Sequence, residues 1–216
     1  MAELNLADLV LKLIKEWRTI TKPRQLDLLR ICNQKYKEME EAHTSFTRIL
    51  SDIQDIVDKA YRLGDKNNES PLEQIRVLER ERFDGRQKRL SQYEQASLYA
   101  SEAFADRNSF LKTVPDPIIQ AVQALMISYV DYFKREGAYN HELGHVFFNL
   151  AKVLDRKATD PKSINFQPHD ISNIASMIAS AHSAFEMSWI RFSRDYYRVY
   201  STFADHGIFA AEKDAR

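Results

Sequence analysis

The sequence predicts an all-α protein, built as an elongated antiparallel bundle of about four long helices that follow a short N-terminal amphipathic helix. The six prolines bracket stretches of about 40 residues that contain none, and proline is strongly disfavoured inside helices. Apolar residues recur along these stretches at steps of three and four, which is the spacing of one helix face. No alternating apolar and polar run flanks a hairpin turn, so strands are not predicted.

Capping residues and prolines define the predicted boundaries. Ser70, Pro71 and Glu73 occupy the N-cap, N1 and N3 positions of a capping box, and Asp116 before Pro117 repeats the cap-then-proline arrangement. The predicted helices span residues 5–19, 23–63, 71–110, 117–156 and 169–204, with a loop over 157–167. We expect a single domain over residues 1–216, with the amphipathic helix in 1–22, the bundle in 23–204 and a tail in 205–216.

The second predicted helix has the most regular apolar stripe, a heptad seam sustained over four heptads. His43 within it predicts either a core histidine hydrogen-bonded to another helix or a pH-sensitive or ligand-contacting group. We expect Cys32, in the same stripe, to act as an inert small hydrophobic residue. The members of the stripe are Leu29, Cys32, Tyr36, Met39, His43, Phe46, Leu50, Ile53, Val57 and Ala60.

Residues 79–89 in the third helix read ERERFDGRQKR, with a single apolar side chain. A segment of this composition is not expected in a packed core, so it predicts either exposure to solvent or contact with a partner. Its cationic residues Arg86, Lys88 and Arg89, and the spaced Arg191, Arg194 and Arg198 of the fifth helix, are candidate partner-binding or anion-binding residues. The alternative is a solvated face with ion pairs one turn apart.

His141, Glu142 and His145 form the motif H-E-x-x-H, in which two histidines on one helix face bind zinc and the glutamate is the general base. The motif resembles that of the zincin hydrolases, but the resemblance covers five residues. Phe148 and Ala151 replace the glycine and third histidine of the extended form. On an unbroken helix, both histidines are predicted on the polar side; Gly137 is a possible break.

A bundle-type metal site is a second interpretation of the same histidines. His182 and Glu186 are four residues apart in the fifth helix, so with His141 and His145 they are candidate ligands contributed by two helices. The cofactor prediction is therefore none, with zinc as the alternative.

The first helix has a broad apolar face and several lysines and arginines, so residues 5–20 predict either docking on a bundle or a subunit, or binding to a membrane surface. Lysine plus arginine equals aspartate plus glutamate at 31 each, which disfavours a dedicated nucleic-acid binder. One cysteine excludes an internal disulfide. No stretch reaches the ~20 apolar residues of a spanning helix, which predicts a soluble, cytoplasmic protein.

These observations favour a non-enzymatic helical interaction or scaffold protein that acts by self-association, as a homo-oligomer, or by binding a protein partner. The sustained heptads support it, as does the lack of a nucleotide-binding or nucleophile motif. The alternatives are a zinc-dependent hydrolase with Glu142 as its catalytic base, and a helical module associated with a membrane surface or a nucleic acid.

Overall fold

A computed structural model of the chain describes residues 6–15, 22–62, 73–86, 114–159 and 168–205. These residues form five helices and no strand, as the all-α prediction requires. In chain order the helices are α1 (Leu6–Lys15), α2 (Lys22–Arg62), α3 (residues 73–86), α4 (Asp116–Thr159) and α5 (Pro168–Asp205).

The long helices α2, α4 and α5 begin and end within three residues of their predicted boundaries. At the start of α4, the N–H groups of Ile118 and Ile119 both donate to the carbonyl of Pro115, at 3.0 and 3.2 Å. Pro117 therefore lies in the first turn, where its missing N–H is tolerated. The end of α4 is later than predicted, since the first three residues of the expected loop 157–167 are helical.

The possible break at Gly137 is not present, because α4 is continuous from Asp116 to Thr159. Glu136 and Asn140, the polar residues on either side of this glycine, are buried and continue the core face. The predicted helix beyond residue 86, the capping serine, residues 160–167 and the tail beyond residue 205 lie outside the described residues.

The chain divides into two compact units. Unit 1 comprises Met1–Ala42, Leu90–Phe133 and Met187–Arg216, and unit 2 comprises His43–Arg89 and Lys134–Glu186. Each of α2, α4 and α5 contributes one segment to each unit. The assignment of the chain to a single domain stays a prediction.

Unit 1 contains α1 and an aromatic core. Phe192 of α5 has its ring centroid 5.5 Å from that of Tyr129 and 5.8 Å from that of Tyr132, both on α4. On α2, the Tyr36 ring stacks on Tyr196 at 4.3 Å. Six apolar residues of α1 are buried within the chain, so in this conformation they are not presented to a membrane. They are Leu6, Leu9, Val10, Leu11, Leu13 and Ile14.

Unit 2 has its own aromatic core, in which Phe46 of α2, Tyr139 of α4 and Phe185 of α5 meet with ring centroids 5.1 to 5.6 Å apart.

Helix α5 is antiparallel to α2 within each unit. In unit 1, Asn33 accepts a hydrogen bond from Tyr196, and Tyr36, later in α2, stacks on Trp189, earlier in α5. In unit 2, His43 faces Glu186, and Phe46, later in α2, contacts Phe185, earlier in α5.

Among the described residues, no helix carries a window apolar enough to cross a membrane.

Candidate functional site

The H-E-x-x-H segment lies in the middle of α4, on a helix whose core face is set by its neighbours. Leu143, Val146 and Phe147 are buried, and at 100° per residue that places His141 and His145 toward solvent. Both histidines are exposed, and Glu142 between them is half-buried. This is the orientation that the helical wheel predicts for an unbroken helix.

The two histidine side chains meet on the helix surface. Their Nε2 atoms are 3.1 Å apart, so one donates a hydrogen bond to the other. The rings are nearly perpendicular, with centroids 4.5 Å apart. The geometry follows from the i, i+4 spacing, which stacks side chains one turn apart on the same face.

The structure does not assemble the predicted four-ligand metal site. Within the described residues, no three histidine, cysteine, aspartate or glutamate side chains form a group that would hold a metal ion. His141 and His145 face solvent on α4. His182 and Glu186 contact a different histidine, His43 of α2. The sequence predicts the outward direction of His141 and His145, but the contact of Glu186 with His43 depends on how the helices pack.

A polar cluster instead occupies the α2–α5 seam of unit 2. Glu186 lies between two imidazoles, with its Oε1 3.5 Å from His43 Nε2 and 3.8 Å from His182 Nε2. Burial lowers the pKa of His43 below its usual 6.5, the Glu186 carboxylate opposes that shift, and His182 adds to it. The Tyr139 ring lies 5.3 Å from His182, and its hydroxyl, fully buried, has no hydrogen-bond partner within the described structure.

Arg82 of α3 is a core residue that the sequence did not predict. Its Nη1 donates to the backbone carbonyl of Asn140 at 3.0 Å and to Asn140 Oδ1 at 2.9 Å. The guanidinium lies over the ring of Phe147. A Cβ at Gly144 would stand 3.6 Å from the guanidinium nitrogens, which is an ordinary van der Waals distance.

The surrounding charged segment fits its prediction in part. Most of residues 79–86 are exposed or half-buried, but Arg82 is buried while Phe83, the one apolar side chain, is exposed. A signal for this inversion was present on α4. Steps of three, four and three residues lead from Phe133 through Glu136 and Asn140 to Leu143, so all four lie on the core face of the helix. Buried polar groups on that face need partners.

The candidate arginines of α5 lie on its outward side. Arg191 pairs with Asp131 of α4 at 3.4 Å, and Arg194 pairs with the buried carboxylate of Asp195 at 2.9 Å. Arg198 is exposed. In α3, Arg86 is half-buried. Lys88 and Arg89 lie outside the described residues.

Three apolar side chains that the sequence did not single out lie among these arginines. Met187, Ile190 and Tyr197 are 56%, 57% and 59% exposed, respectively. With Arg194 they follow steps of three, four and three, on the side of α5 opposite its buried stripe. We name the exposed surface formed by Met187, Ile190, Arg191, Arg194, Tyr197 and Arg198 the α5 face.

Comparison with known proteins gives no further information about the site. No protein-family model, curated protein or solved structure matches the chain.

Proposed function

We propose that the chain is a non-enzymatic helical interaction protein, which binds a protein partner or a second copy of itself through the α5 face. The observation that carries this proposal is the exposure of Met187, Ile190 and Tyr197 in one row. Isolated exposed apolar residues are common on protein surfaces, but three in register on one helix form the stripe that a partner helix buries. Methionine, tyrosine and arginine are also enriched in protein interfaces.

Two side chains of the α5 face, Tyr197 and Arg191, are held in place by contacts within the chain before any partner binds. The Tyr197 ring packs edge-on against Tyr36, with centroids 5.5 Å apart, and the ion pair with Asp131 orients Arg191. Ile127, one turn before Asp131 on α4, is also exposed. Side chains ordered in advance lose less entropy on binding.

A protein partner is favoured over a nucleic acid because carboxylates accompany the arginines. Asp131 lies beside Arg191 and Asp195 beside Arg194, and a carboxylate next to a guanidinium weakens its attraction for phosphate. Zinc-dependent hydrolysis through Glu142 stays the alternative. The absence of a third ligand among the described residues does not support it.

The cytoplasm is the compartment that we propose. Cys32 is the only cysteine of the sequence, and it is buried and unpaired. Burial raises the pKa of its thiol from 9.0 to about 12, which keeps it in the unreactive protonated form, as expected for an inert core cysteine.

The test compares variants of the α5 face in the full-length chain. We expect Ile190→Asp to abolish binding, because a buried unpaired carboxylate is strongly unfavourable in an apolar contact. Tyr197→Ala should weaken binding at least tenfold. Self-association is measured by sedimentation over a range of concentrations, and a partner recovered on the wild-type chain is purified and titrated against each variant by calorimetry.

Ile31→Ala is the matched control, because Ile31 is an exposed apolar residue of α2 in the same unit but is not part of the α5 face. It should bind like the wild-type chain. The proposal is wrong if Ile190→Asp and Tyr197→Ala retain every interaction of the wild-type chain, or if the purified chain hydrolyses peptides in a reaction that Glu142→Gln abolishes.

A further inference from the structure

We propose that His141 and His145 form one half of a zinc site that a second copy of the chain completes, so that one Zn²⁺ ion joins two chains. The site is separate from the α5 face and adds to the proposed function. It uses the H-E-x-x-H motif as a structural chelate, with no catalytic role for Glu142.

The two imidazoles already stand at the separation that a shared metal ion requires. Zinc–nitrogen bonds of 2.0–2.1 Å in a tetrahedral site place two nitrogen ligands about 3.3 Å apart. The Nε2 atoms of His141 and His145 are 3.1 Å apart. The imidazole that donates the hydrogen bond moves its proton from Nε2 to Nδ1, so that both Nε2 atoms carry a lone pair. A small rotation of the rings then turns the two lone pairs toward one ion, which replaces the hydrogen bond between them. Both side chains are exposed, so the ion reaches them without opening the core.

Two further ligands must come from elsewhere. Structural zinc is almost always four-coordinate, and the described part of the chain brings no third histidine, cysteine, aspartate or glutamate to this pair. A copy related by a two-fold axis presents the same two imidazoles. Four histidines, two from each copy, then complete a tetrahedral site.

The surface around the histidines suits contact between two α4 helices. An exposed row with steps of three and four runs through the pair on the outward side of α4, and it includes Phe148, which is 66% exposed. If two antiparallel α4 helices cross midway between His141 and His145, the Phe148 ring of each copy lies over Ala138 of the other. A small residue opposite a large one allows close packing of helices. The row comprises Ala138, His141, His145, Phe148 and Lys152.

The same pairing explains why the contact would depend on the metal. Lys134 and Lys152 are both exposed and lie about 13 Å on either side of the crossing point at 1.5 Å per residue. Antiparallel pairing brings Lys152 of one copy toward Lys134 of the other, and like charges repel. One aromatic contact at each end opposes that repulsion, so we expect stable pairing only when zinc bridges the centre.

The experiment uses the full-length chain without an affinity tag, carrying Ile190→Asp so that association through the α5 face does not contribute. Sedimentation equilibrium is measured with Zn²⁺ and after chelation by EDTA, and bound zinc is counted by elemental analysis after dialysis. We expect one zinc per two chains, a dimer with Zn²⁺ and a monomer after EDTA. His141→Ala and His145→Ala should each abolish zinc binding and dimerisation together, and Phe148→Ala should weaken the dimer at least tenfold.

Two controls separate this site from other zinc chemistry. His182→Ala removes a histidine that contacts Glu186, and Glu142→Gln removes the motif's carboxylate. Both should keep the zinc and the dimer. The inference is overturned if the chain binds no zinc, if it binds one zinc per chain as a monomer, or if the dimer persists in EDTA. Hydrolysis that needs both zinc and Glu142 would also overturn it, in favour of a zinc hydrolase.

Discussion

Two tyrosine hydroxyls of this bundle differ in their partners, which allows a matched comparison at the scale of single residues. Tyr196 donates a hydrogen bond to Asn33, whereas the buried Tyr139 hydroxyl has no partner in the described structure. We expect Tyr196→Phe to lower the free energy of unfolding by about 1 kcal/mol, and Tyr139→Phe to raise it by about as much, because an unsatisfied buried hydroxyl is removed. Urea denaturation of both variants measures the difference. Equal losses in the two variants would mean that Tyr139 has a partner, such as a buried water molecule.

A second prediction for a single residue concerns His43, whose protonation should make the free energy of unfolding depend on pH. Burial lowers its folded-state pKa below the usual 6.5, with Glu186 acting in the opposite direction. The unfolded chain therefore binds the proton more readily, and the contribution of His43 to stability, fully present above pH 6.5, is lost as the pH falls below it. His43→Leu should be tolerated or stabilising at neutral pH, and more stable than the wild-type chain under acid.

The measurement is the free energy of unfolding in urea below and above pH 6.5. The other titratable side chains of the cluster around His43 are Glu186, His182 and Tyr139. Met39→Leu, a substitution one turn earlier in α2, is the control without a titrating group. An identical loss of stability on acidification in wild type and His43→Leu would contradict the assignment to His43.

At the scale of elements, Arg82 attaches α3 to α4. Arg82→Ala leaves the oxygen atoms of Asn140 without this donor and removes the contact with Phe147, so we expect a loss of about 2–3 kcal/mol. Arg80→Ala, at an exposed position of the same helix, should change the free energy of unfolding by less than about 0.5 kcal/mol. Hydrogen exchange should locate the loss of protection in α3. A neutral Arg82→Ala would mean that α3 docks by its apolar contacts alone.

Gly137 lies inside the continuous helix α4, and its replacement by alanine is expected to raise the stability of the chain. A Cβ built at this position meets no atom within 4 Å, and glycine is about 1 kcal/mol less favourable than alanine in a helix interior. Gly137→Ala should therefore stabilise the chain by up to about 1 kcal/mol in thermal unfolding. A destabilised variant would reveal a bend at this position that function or folding requires.

The boundaries and faces of the long helices could be predicted because they depend on local signals. Proline excludes itself from helix interiors, and the steps between Leu29, Phe46 and Ile53 encode one buried face. The spacing from Phe133 to Leu143 also places Glu136 and Asn140 on the core face of α4, but the core role of Arg82 could not be read in the same way. A periodicity of apolar residues treats an arginine as outward-facing, and its hydrogen bonds to Asn140 on another helix make its burial favourable.

The same limit applies to the candidate site. The outward direction of His141 and His145 follows from the phase of α4, which the sequence contains. The contact of Glu186 with His43, in place of His141 or His145, depends on how α2, α4 and α5 pack. The spacing of Met187, Ile190 and Tyr197 is present in the sequence, but only their exposure in the structure distinguishes this row from a second buried face.

For the whole molecule, the continuity of α2, α4 and α5 through both units predicts coupled unfolding. We expect a single thermal transition, which Phe46→Ala in unit 2 and Phe192→Ala in unit 1 both shift to lower temperature. Each substitution should cost about 3–5 kcal/mol, as do other truncations of large core aromatics. Calorimetry that resolves two transitions, each moved by only one of the variants, would show that the units are separate domains.

The placement of tryptophan has an optical consequence. The sequence contains two tryptophans, neither of which lies in residues 43–89 or 134–186, the segments of unit 2. Trp189 of unit 1 is in ring contact with Tyr36, Tyr132 and Phe192. Indole emission therefore contains no signal from a fluorophore in unit 2, and Trp189 reports on the aromatic core of unit 1. A Phe185→Trp variant would place an indole in the core of unit 2 and supply the missing reporter for that unit.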